Sequence, residues 1–297
     1  MGFDIDLKHL RYLVAVADEG SFTRGAEALG MTQPALSRAI KALEEALGTP
    51  LFVRAQHRLE LTEAGRMLTQ EARTLLETAN AALARVARLG REGPRLRVTA
   101  RGCDIDVLQK LVASYNERFP GELPARGMMV DWRVQAGQVR TGEADVTLLR
   151  APFESRGLDS DLIRADPRVV MLPESHPLAG RESIHRRELA GEAFPLWPDL
   201  TPAEKDYWLG VDLADHDWKP GPLVRDAAQL VGSIRLGDGI GFIALSHVPA
   251  PLPAGISVVP VEGLSASQLR IAWAASMTSP DVARFVRHAT EHAVAVA

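Results

Sequence analysis

The residues best suited to chemistry lie between positions 33 and 47, on one side of an amphipathic segment. Four apolar side chains recur there at intervals of 4, 3 and 4, which is the spacing of one helix face: Leu36, Ile40, Leu43 and Leu47. Four polar side chains lie off that face: Gln33, Ser37, Arg38 and Lys41. Amide, hydroxyl and cationic groups of this kind form hydrogen bonds with base edges and with phosphates. The pattern therefore predicts a helix that buries one side and offers the other to a nucleic acid.

A second, shorter helix is predicted directly before this one. Ser21 can cap a helix that ends at Gly30, where glycine can take the left-handed conformation. The apolar face of that helix is formed by Phe22, Ala26 and Leu29. Thr32 is predicted to cap the next helix, and Pro34 lies in its first turn, where a missing N–H costs nothing. Two helices joined by so tight a turn are typical of a helix-turn-helix.

A two-stranded wing is predicted after these helices. Residues 51–54 and 58–62 are short and favour an extended conformation, and a polar break separates them. The tip of this wing carries Arg54, His57 and Arg58, which could touch phosphates beside the helix. The candidate DNA-binding residues are Thr32, Gln33, Pro34, Ser37, Arg38, Lys41, Arg54 and Arg58.

Positive charge is local in this chain. The formal net charge of all 297 residues is −4, whereas four basic residues between positions 32 and 58 face only Glu44 and Glu45. A local basic patch is typical of a protein that uses one face on DNA. Two amphipathic helices around a glycine turn also occur in many proteins that bind no DNA, so the helices alone leave a purely structural role open.

A long helix follows the wing. Apolar residues recur every three or four positions from Leu61 to Leu89, and no glycine or proline lies between Arg66 and Leu89. This spacing predicts a coiled-coil seam of about four heptads, through which two chains could dimerise. The alternative is a surface helix that packs on its own domain.

The remaining sequence alternates between strand-like and helical segments. Strands are predicted at 95–100, 128–132, 144–149, 167–172 and 268–275, and helices at 104–118, 135–141 and 280–293. Such alternation favours an α/β fold with a parallel sheet. The chain is predicted to enter a second lobe near residue 167 and to return to the first near 268. Two lobes with two crossovers would enclose a cleft for a small molecule.

Candidate cleft residues follow the predicted strands, because ligands bind at the carboxyl ends of strands and at helix N-termini in such sheets. They are Thr99, Arg101, Gly102, Cys103, Arg150, Leu196 and Trp197. Either arginine could instead pair with a neighbouring carboxylate. Asp104 and Asp131 would repel an anion if they point inward. An apolar or aromatic effector with one polar group is therefore as well supported as a carboxylate.

Several other classes of protein are disfavoured. A single cysteine excludes an internal disulfide, and neither a secretion signal nor an 18-residue apolar run is visible, so we expect a cytoplasmic protein with no membrane partner. The eight histidines lack metal-ligand spacing, and the glycines at 237–241 lack a dinucleotide-binding register. We expect no metal, no cofactor and no enzymatic activity. A redox role for Cys103 stays open.

The order of these motifs resembles a known family. DLKHLRYLVAVADEGSFTRGAEALGMTQPALSRAIKALEEALGTPLFVR, followed by LTEAG at 61–65, is similar to the N-terminal domain of LysR-type transcriptional regulators. Later segments match as well: TGEADVTLL at 141–149, LPESHPLAGR at 172–181 and LGDGIGFIAL at 236–245. The resemblance covers essentially the whole chain and is looser in its second part.

The resemblance implies a domain organisation. Residues 1–62 would form a winged helix-turn-helix domain and residues 63–91 a linker and dimerisation helix. Residues 95–297 would form a two-lobed α/β effector domain like the type 2 periplasmic binding proteins. Lobe I would comprise 95–166 and 268–297, and lobe II 167–267.

The resemblance also implies partners. These would be double-stranded DNA at a partly palindromic promoter site, a small-molecule effector, further copies of the chain in a dimer or tetramer, and RNA polymerase as a candidate. Two other functions remain open. An architectural DNA-binding protein would bind DNA without a ligand response, and a solute-binding protein or enzyme would bind no genomic DNA.

Overall fold

The structure, a computed structural model, describes residues 5–55 and 58–293. It divides into two compact units, of which the first comprises Met1–Arg91 with Arg140–Glu143 and the second comprises Glu92–Val139 with Ala144–Ala297. In the described part of the chain, no helix is both long enough and apolar enough to cross a membrane.

The first unit is mainly helical. Its elements are α1 (Leu7–Glu19), α2 (Phe22–Ala28), α3 (Gln33–Leu47), β1 (Phe52–Ala55), β2 (Arg58–Leu61) and α4 (Glu63–Glu92). β1 and β2 form an antiparallel ribbon. Ser21 caps α2 by accepting a hydrogen bond from the backbone of Arg24, and Gly30 is left-handed with φ of 65°. The predicted helix-turn-helix and wing are therefore confirmed as local structure.

The predicted position of Thr32 at the N-cap of α3 is confirmed, but its side chain does not cap the helix. Thr32 occupies the N-cap position, but its hydroxyl makes no capping hydrogen bond. A cap side chain accepts from the second or third backbone N–H of the helix. Pro34 occupies the second position and has no N–H, and the N–H of Ala35 donates to the Thr32 carbonyl at 3.0 Å. The Thr32 hydroxyl thus remains exposed.

The apolar stripe of α4 changes character along the helix. Leu61, where the predicted stripe began, lies on β2; the first part of α4 packs on the core of the first unit through Ala64 and Leu68, and Ala72 is fully buried. Beyond Ala72 several large apolar side chains are at least about half exposed: Leu75, Leu83, Val86 and Leu89. Packing on its own domain is therefore confirmed for the first part of the helix, and dimerisation through the exposed side chains of the second part stays a prediction.

The second unit is an α/β structure. Its strands are β3 (Leu96–Ala100), β4 (Ala125–Met129), β5 (Val146–Ala151), β6 (Leu158–Asp166), β7 (Arg168–Pro173), β8 (Ile184–His185), β9 (Ala193–Leu196), β10 (Lys219–Leu223), β11 (Gly241–Ala244), β12 (Ile256–Glu262) and β13 (Ser267–Ala274). Its helices are α5 (Ile105–Arg118), α6 (Gln135–Arg140), α7 (Pro202–Leu209), α8 (Ala227–Leu236) and α9 (Pro280–Ala293).

These strands form two main sheets, which define two lobes. We call the sheet with order β4-β3-β5-β13-β6, with α5 and α9, lobe I. We call the sheet with order β11-β7-β12-β8, with the β9–β10 pair, lobe II. The chain passes between them from Asp166 to Arg168 and from Glu262 to Ser267. Each lobe has its own cluster of buried apolar side chains.

The predicted parallel sheet is wrong for much of this unit. Among the described strands of this unit, the parallel pairs are β3–β4, β3–β5, β8–β12 and β9–β10. In contrast, β7 and β13 each pair antiparallel with both of their neighbours. The reason is connectivity, because β13 enters lobe I directly from the second crossover and not from a helix. The strand predicted at 128–132 also lies earlier, since Leu96–Ala100 pairs with Ala125–Met129.

Candidate functional site

The outer face of α3 carries the side chains predicted to touch DNA. Leu36, Ile40 and Leu43 are buried, which fixes the rotation of the helix. The polar candidates on the opposite side are Gln33, Arg38 and Lys41, which are exposed, and Ser37, which is half-buried; Pro34 is exposed as well. The donors on this face are thus free to meet another molecule.

The two cations of this face have only weak partners. Arg38 Nε donates to the carbonyl of Pro34 at 3.3 Å, and Lys41 Nζ lies 3.6 Å from a carboxylate oxygen of Glu45 in an exposed pair. Exposed pairs of this kind contribute little to stability. Both side chains could therefore turn toward phosphates or bases at small cost.

The Glu44 carboxylate, which the sequence analysis treated only as a local negative charge, connects α3 to the start of the wing by hydrogen bonds. Glu44 Oε1 accepts hydrogen bonds from the backbone N–H groups of Leu51 at 2.7 Å and Phe52 at 3.2 Å. Arg58 is exposed on β2. Arg54 lies on β1 opposite Leu59, while its side chain and the predicted tip residue His57 lie outside the described residues.

The end of β3 and the loop after it contain four of the predicted cleft residues, with Thr99 on the strand and the other three in the loop. Thr99 is buried, and its hydroxyl has no hydrogen-bond partner within the described part of the chain. Gly102 and Cys103 are exposed on a short 3-10 turn that leads into α5. Arg101 is 17% exposed and its Nε donates to Asp104 Oδ2 at 3.0 Å.

Arg150 lies in a buried charge cluster. Its side chain is 3% exposed, its Nη2 lies 2.8 Å from Asp104 Oδ1, and its Nη1 donates to Asp166. Of the two roles left open for Arg101 and Arg150, pairing with a carboxylate is the one seen in the structure. Burial alone would raise the pKa of Asp104, but a hydrogen bond from His247 and the charges of both arginines hold it well below its usual range.

The two acidic residues expected to repel an anion are both paired. Asp104 points inward and is compensated by two arginines. Asp131 is exposed and lies 2.6 Å from Arg133 Nη2, and this hydrogen bond lowers the pKa of Asp131. Neither carboxylate therefore presents an uncompensated negative charge.

Aromatic rings connect the two lobes. Trp132 follows β4 in lobe I, Trp197 follows β9 in lobe II, and their ring centroids are 6.3 Å apart at an angle of 90°. Trp208 extends the group, with its ring 5.5 Å from that of Trp197. Leu196 packs on the apolar core of lobe II. Sequence reasoning missed Trp132 because it assigned MVDW to a strand, although a tryptophan between two charged residues is an unusual strand end.

The described residues offer no cluster of three or more histidine, cysteine or acidic side chains that could hold a metal ion. Cys103 is an exposed free thiol.

Comparison with known proteins adds independent findings. A family model described as bacterial regulatory helix-turn-helix protein, lysR family, matches residues 7–66, and one described as LysR substrate binding domain matches residues 89–294. The chain is 31% identical to the Hca operon transcriptional activator HcaR of Escherichia coli (strain K12), over 98% of this chain and 99% of that protein. It is 30% identical to the HTH-type transcriptional regulator BudR of Raoultella terrigena, over 95% and 99%.

Solved structures share the fold. Full-length BenM superposes with a TM-score of 0.54 at 23% identity, covering 98% of each chain. Full-length CbnR in complex with its target DNA superposes with a TM-score of 0.54 at 22% identity, covering 97% of this chain and all of that one.

Proposed function

The chain belongs to the LysR family of bacterial transcriptional regulators, and we propose that it reads its DNA site with the outer face of α3. Gln33, Ser37 and Arg38 would contact base edges in the major groove. The phosphate contacts would come from Thr32, Lys41, Arg54 and Arg58, and Pro34 would pack against the sugar-phosphate backbone of the DNA. The observation that carries this proposal is that α3 buries its leucines and leaves its polar donors without strong partners.

Dimerisation is proposed to occur through the second half of α4. Leu83 and Val86 are 70% and 68% exposed, and a helix stripe of this kind gains stability when a partner helix buries it. Two copies would present two α3 helices to one partly palindromic site. Association of two dimers through residues 95–297 would give a tetramer.

The domain limits proposed from the sequence are retained. Residues 1–62 would bind DNA, 63–91 would link and dimerise, and 95–297 would sense the effector. A cytoplasmic location and contact with RNA polymerase are expected of such a regulator and belong to the same proposal.

The effector is proposed to bind between the lobes. Thr99, Gly102 and Cys103 would line it from lobe I, with the exposed edge of Arg101, and Leu196 and Trp197 from lobe II. Arg150 is assigned an indirect role, because its N–H groups are already engaged with Asp104 and Asp166. Binding there would change the angle between the lobes and so the response at the promoter.

The proposal is tested by selecting genomic fragments with the purified protein at moderate salt. Strong enrichment by the wild type, and none by the Arg38→Ala, Lys41→Ala double variant, is expected. Equal enrichment by both proteins would mean that α3 does not read DNA. Genes beside the selected sites would nominate effectors, and a footprint that no such molecule alters would favour the architectural alternative.

A further inference from the structure

A buried polar cluster lies where the chain crosses between the lobes. Arg150 is at its centre: Nε and Nη2 donate to Asp104 Oδ1 at 3.1 and 2.8 Å, and Nη1 donates to Asp166 and to Ser267 Oγ at 3.2 Å. Asp166 ends β6 at the first crossover, and Ser267 begins β13 at the second. The guanidinium thus fastens both crossover strands to the start of α5.

Lobe II reaches this cluster through two consecutive residues after β11. Ser246 Oγ accepts from Arg150 Nη2 at 3.2 Å and donates to Asp166 Oδ2 at 2.9 Å. His247 Nε2 lies 2.9 Å from Asp104 Oδ1, and its side chain is 8% exposed. Burial lowers the pKa of His247, so the ring is neutral at pH 7 and its Nε2–H donates to the ionised carboxylate.

These two contacts are not needed to neutralise charge. Asp104 is already paired with Arg101 and Arg150, and Asp166 with Arg150 and Arg164. Removing one partner of a buried ion pair is very costly, whereas removing an additional neutral donor leaves every carboxylate compensated. The contacts from lobe II can therefore break and re-form while the charged centre stays intact.

Asp104 also ends the loop proposed to touch the effector. Its backbone N–H donates to the carbonyl of Arg101 at 3.0 Å, and its Oδ2 accepts from the Arg101 side chain. A molecule that displaces Gly102 or Cys103 must move Asp104 or strain that turn.

We propose that Asp104 and His247 are positioning residues that connect the Arg101–Asp104 loop to lobe II, so that the occupant of the cleft sets the angle between the lobes. This inference rests on the proposed function, because it takes that loop to be part of the effector site. It assigns the regulation of the site to a hydrogen bond between lobes and not to a contact with the effector.

Hydrogen–deuterium exchange of the full chain tests the connection. In His247→Ala, backbone amides of residues 101–105 should exchange about tenfold faster, although the substitution is in the other lobe. His247→Gln should restore slow exchange, since its amide can still donate to Asp104. Arg133→Ala, which breaks an exposed pair elsewhere in lobe I, is the matched control and should leave these amides unchanged.

A covalent probe tests the opposite direction. Cys103 is exposed and is the single cysteine of the chain, so N-ethylmaleimide can load the loop selectively. Labelling should speed exchange at the backbone amides of Leu245 and Val248 in the wild type and in His247→Gln, but not in His247→Ala. Ser246→Ala provides a second variant if His247→Ala fails to fold.

Two results would overturn the inference: unchanged exchange at 101–105 in His247→Ala, or an equal acceleration throughout lobe II, which would indicate a merely structural side chain. Exchange needs no DNA, so this outcome is independent of the fragment selection. A wild type that binds no fragment would overturn the proposed function and leave the exchange result readable.

Discussion

Arg38→Ala should weaken DNA binding without destabilising the first unit. Arg38 is exposed, makes no ion pair within the described residues, and bonds only to the Pro34 carbonyl at 3.3 Å. Its removal should change the free energy of unfolding by less than about 0.5 kcal/mol. A lost base contact costs about 1–3 kcal/mol per half-site, so a dimer on two half-sites should lose about 2–6 kcal/mol, or roughly 30-fold to 10⁴-fold in affinity.

The assay is fluorescence anisotropy with a selected site and with random DNA of equal length, each at two salt concentrations. Arg38→Ala should weaken binding to the selected site far more than to random DNA. Lys41→Ala should weaken both alike and reduce the salt slope by about one per subunit. Arg287→Ala, an exposed arginine of the second unit, controls for net charge. Equal losses on both DNAs would place Arg38 on phosphate, and no loss would refute the assignment of this face.

Three further variants test the packing around Gly65, the proposed association through α4 and the titration of His288. Gly65→Ala should destabilise the first unit by about 3 kcal/mol or more in urea unfolding, because a Cβ there would lie 2.0 Å from the carbonyl oxygen of Leu51. Leu83→Glu with Val86→Glu should remove the α4 contact, so that the sedimenting species falls from a tetramer to at most the dimer held by residues 95–297, with little change in unfolding, since both side chains are exposed. Burial, and to a smaller extent a neighbouring histidine and arginine, lowers the pKa of His288 to about 4. Acidification from pH 6.5 to 4 should therefore lower the free energy of unfolding by up to about 3 kcal/mol in the wild type, a loss that His288→Phe should not show.

The sign of the pH effect follows from the proton count. Between pH 6.5 and 4, His288 binds a proton in the unfolded state but stays largely neutral in the folded state, so the free energy of unfolding falls as the pH falls. Equal pH slopes for wild type and His288→Phe would contradict this. A Gly65→Ala variant as stable as the wild type would contradict the packing at Leu51. A double glutamate variant that sediments as the wild type does would contradict the role of α4.

The first unit could be predicted from sequence because its signals are local. Helix periodicity, a serine cap and a left-handed glycine each act within one turn, and all three were found where expected. The Thr32 side chain makes no capping hydrogen bond for an equally local reason, since Pro34 lacks one of the two N–H groups that such a cap would bond and the other, of Ala35, donates to the Thr32 carbonyl. Attention to the second helical position would have revealed it.

The second unit could be predicted only in part, because strand direction and charge pairing depend on distant residues. The β13 strand runs antiparallel to its neighbours because of the crossover that precedes it. Arg150 meets Asp104 from 46 positions away, and His247 meets the same carboxylate from 143 positions away. No periodic pattern specifies such contacts, and this is why the arginines could be nominated for the cleft but not assigned a role there.

The central claim is that two α3 helices read a two-part DNA site, and a DNase I footprint of the best selected fragment tests it most directly. We predict protection of an interrupted palindrome whose half-sites lie about one helical turn apart, and its loss in the Arg38→Ala, Lys41→Ala variant. Protection that follows no repeated sequence, or that survives in the double variant, would contradict the claim.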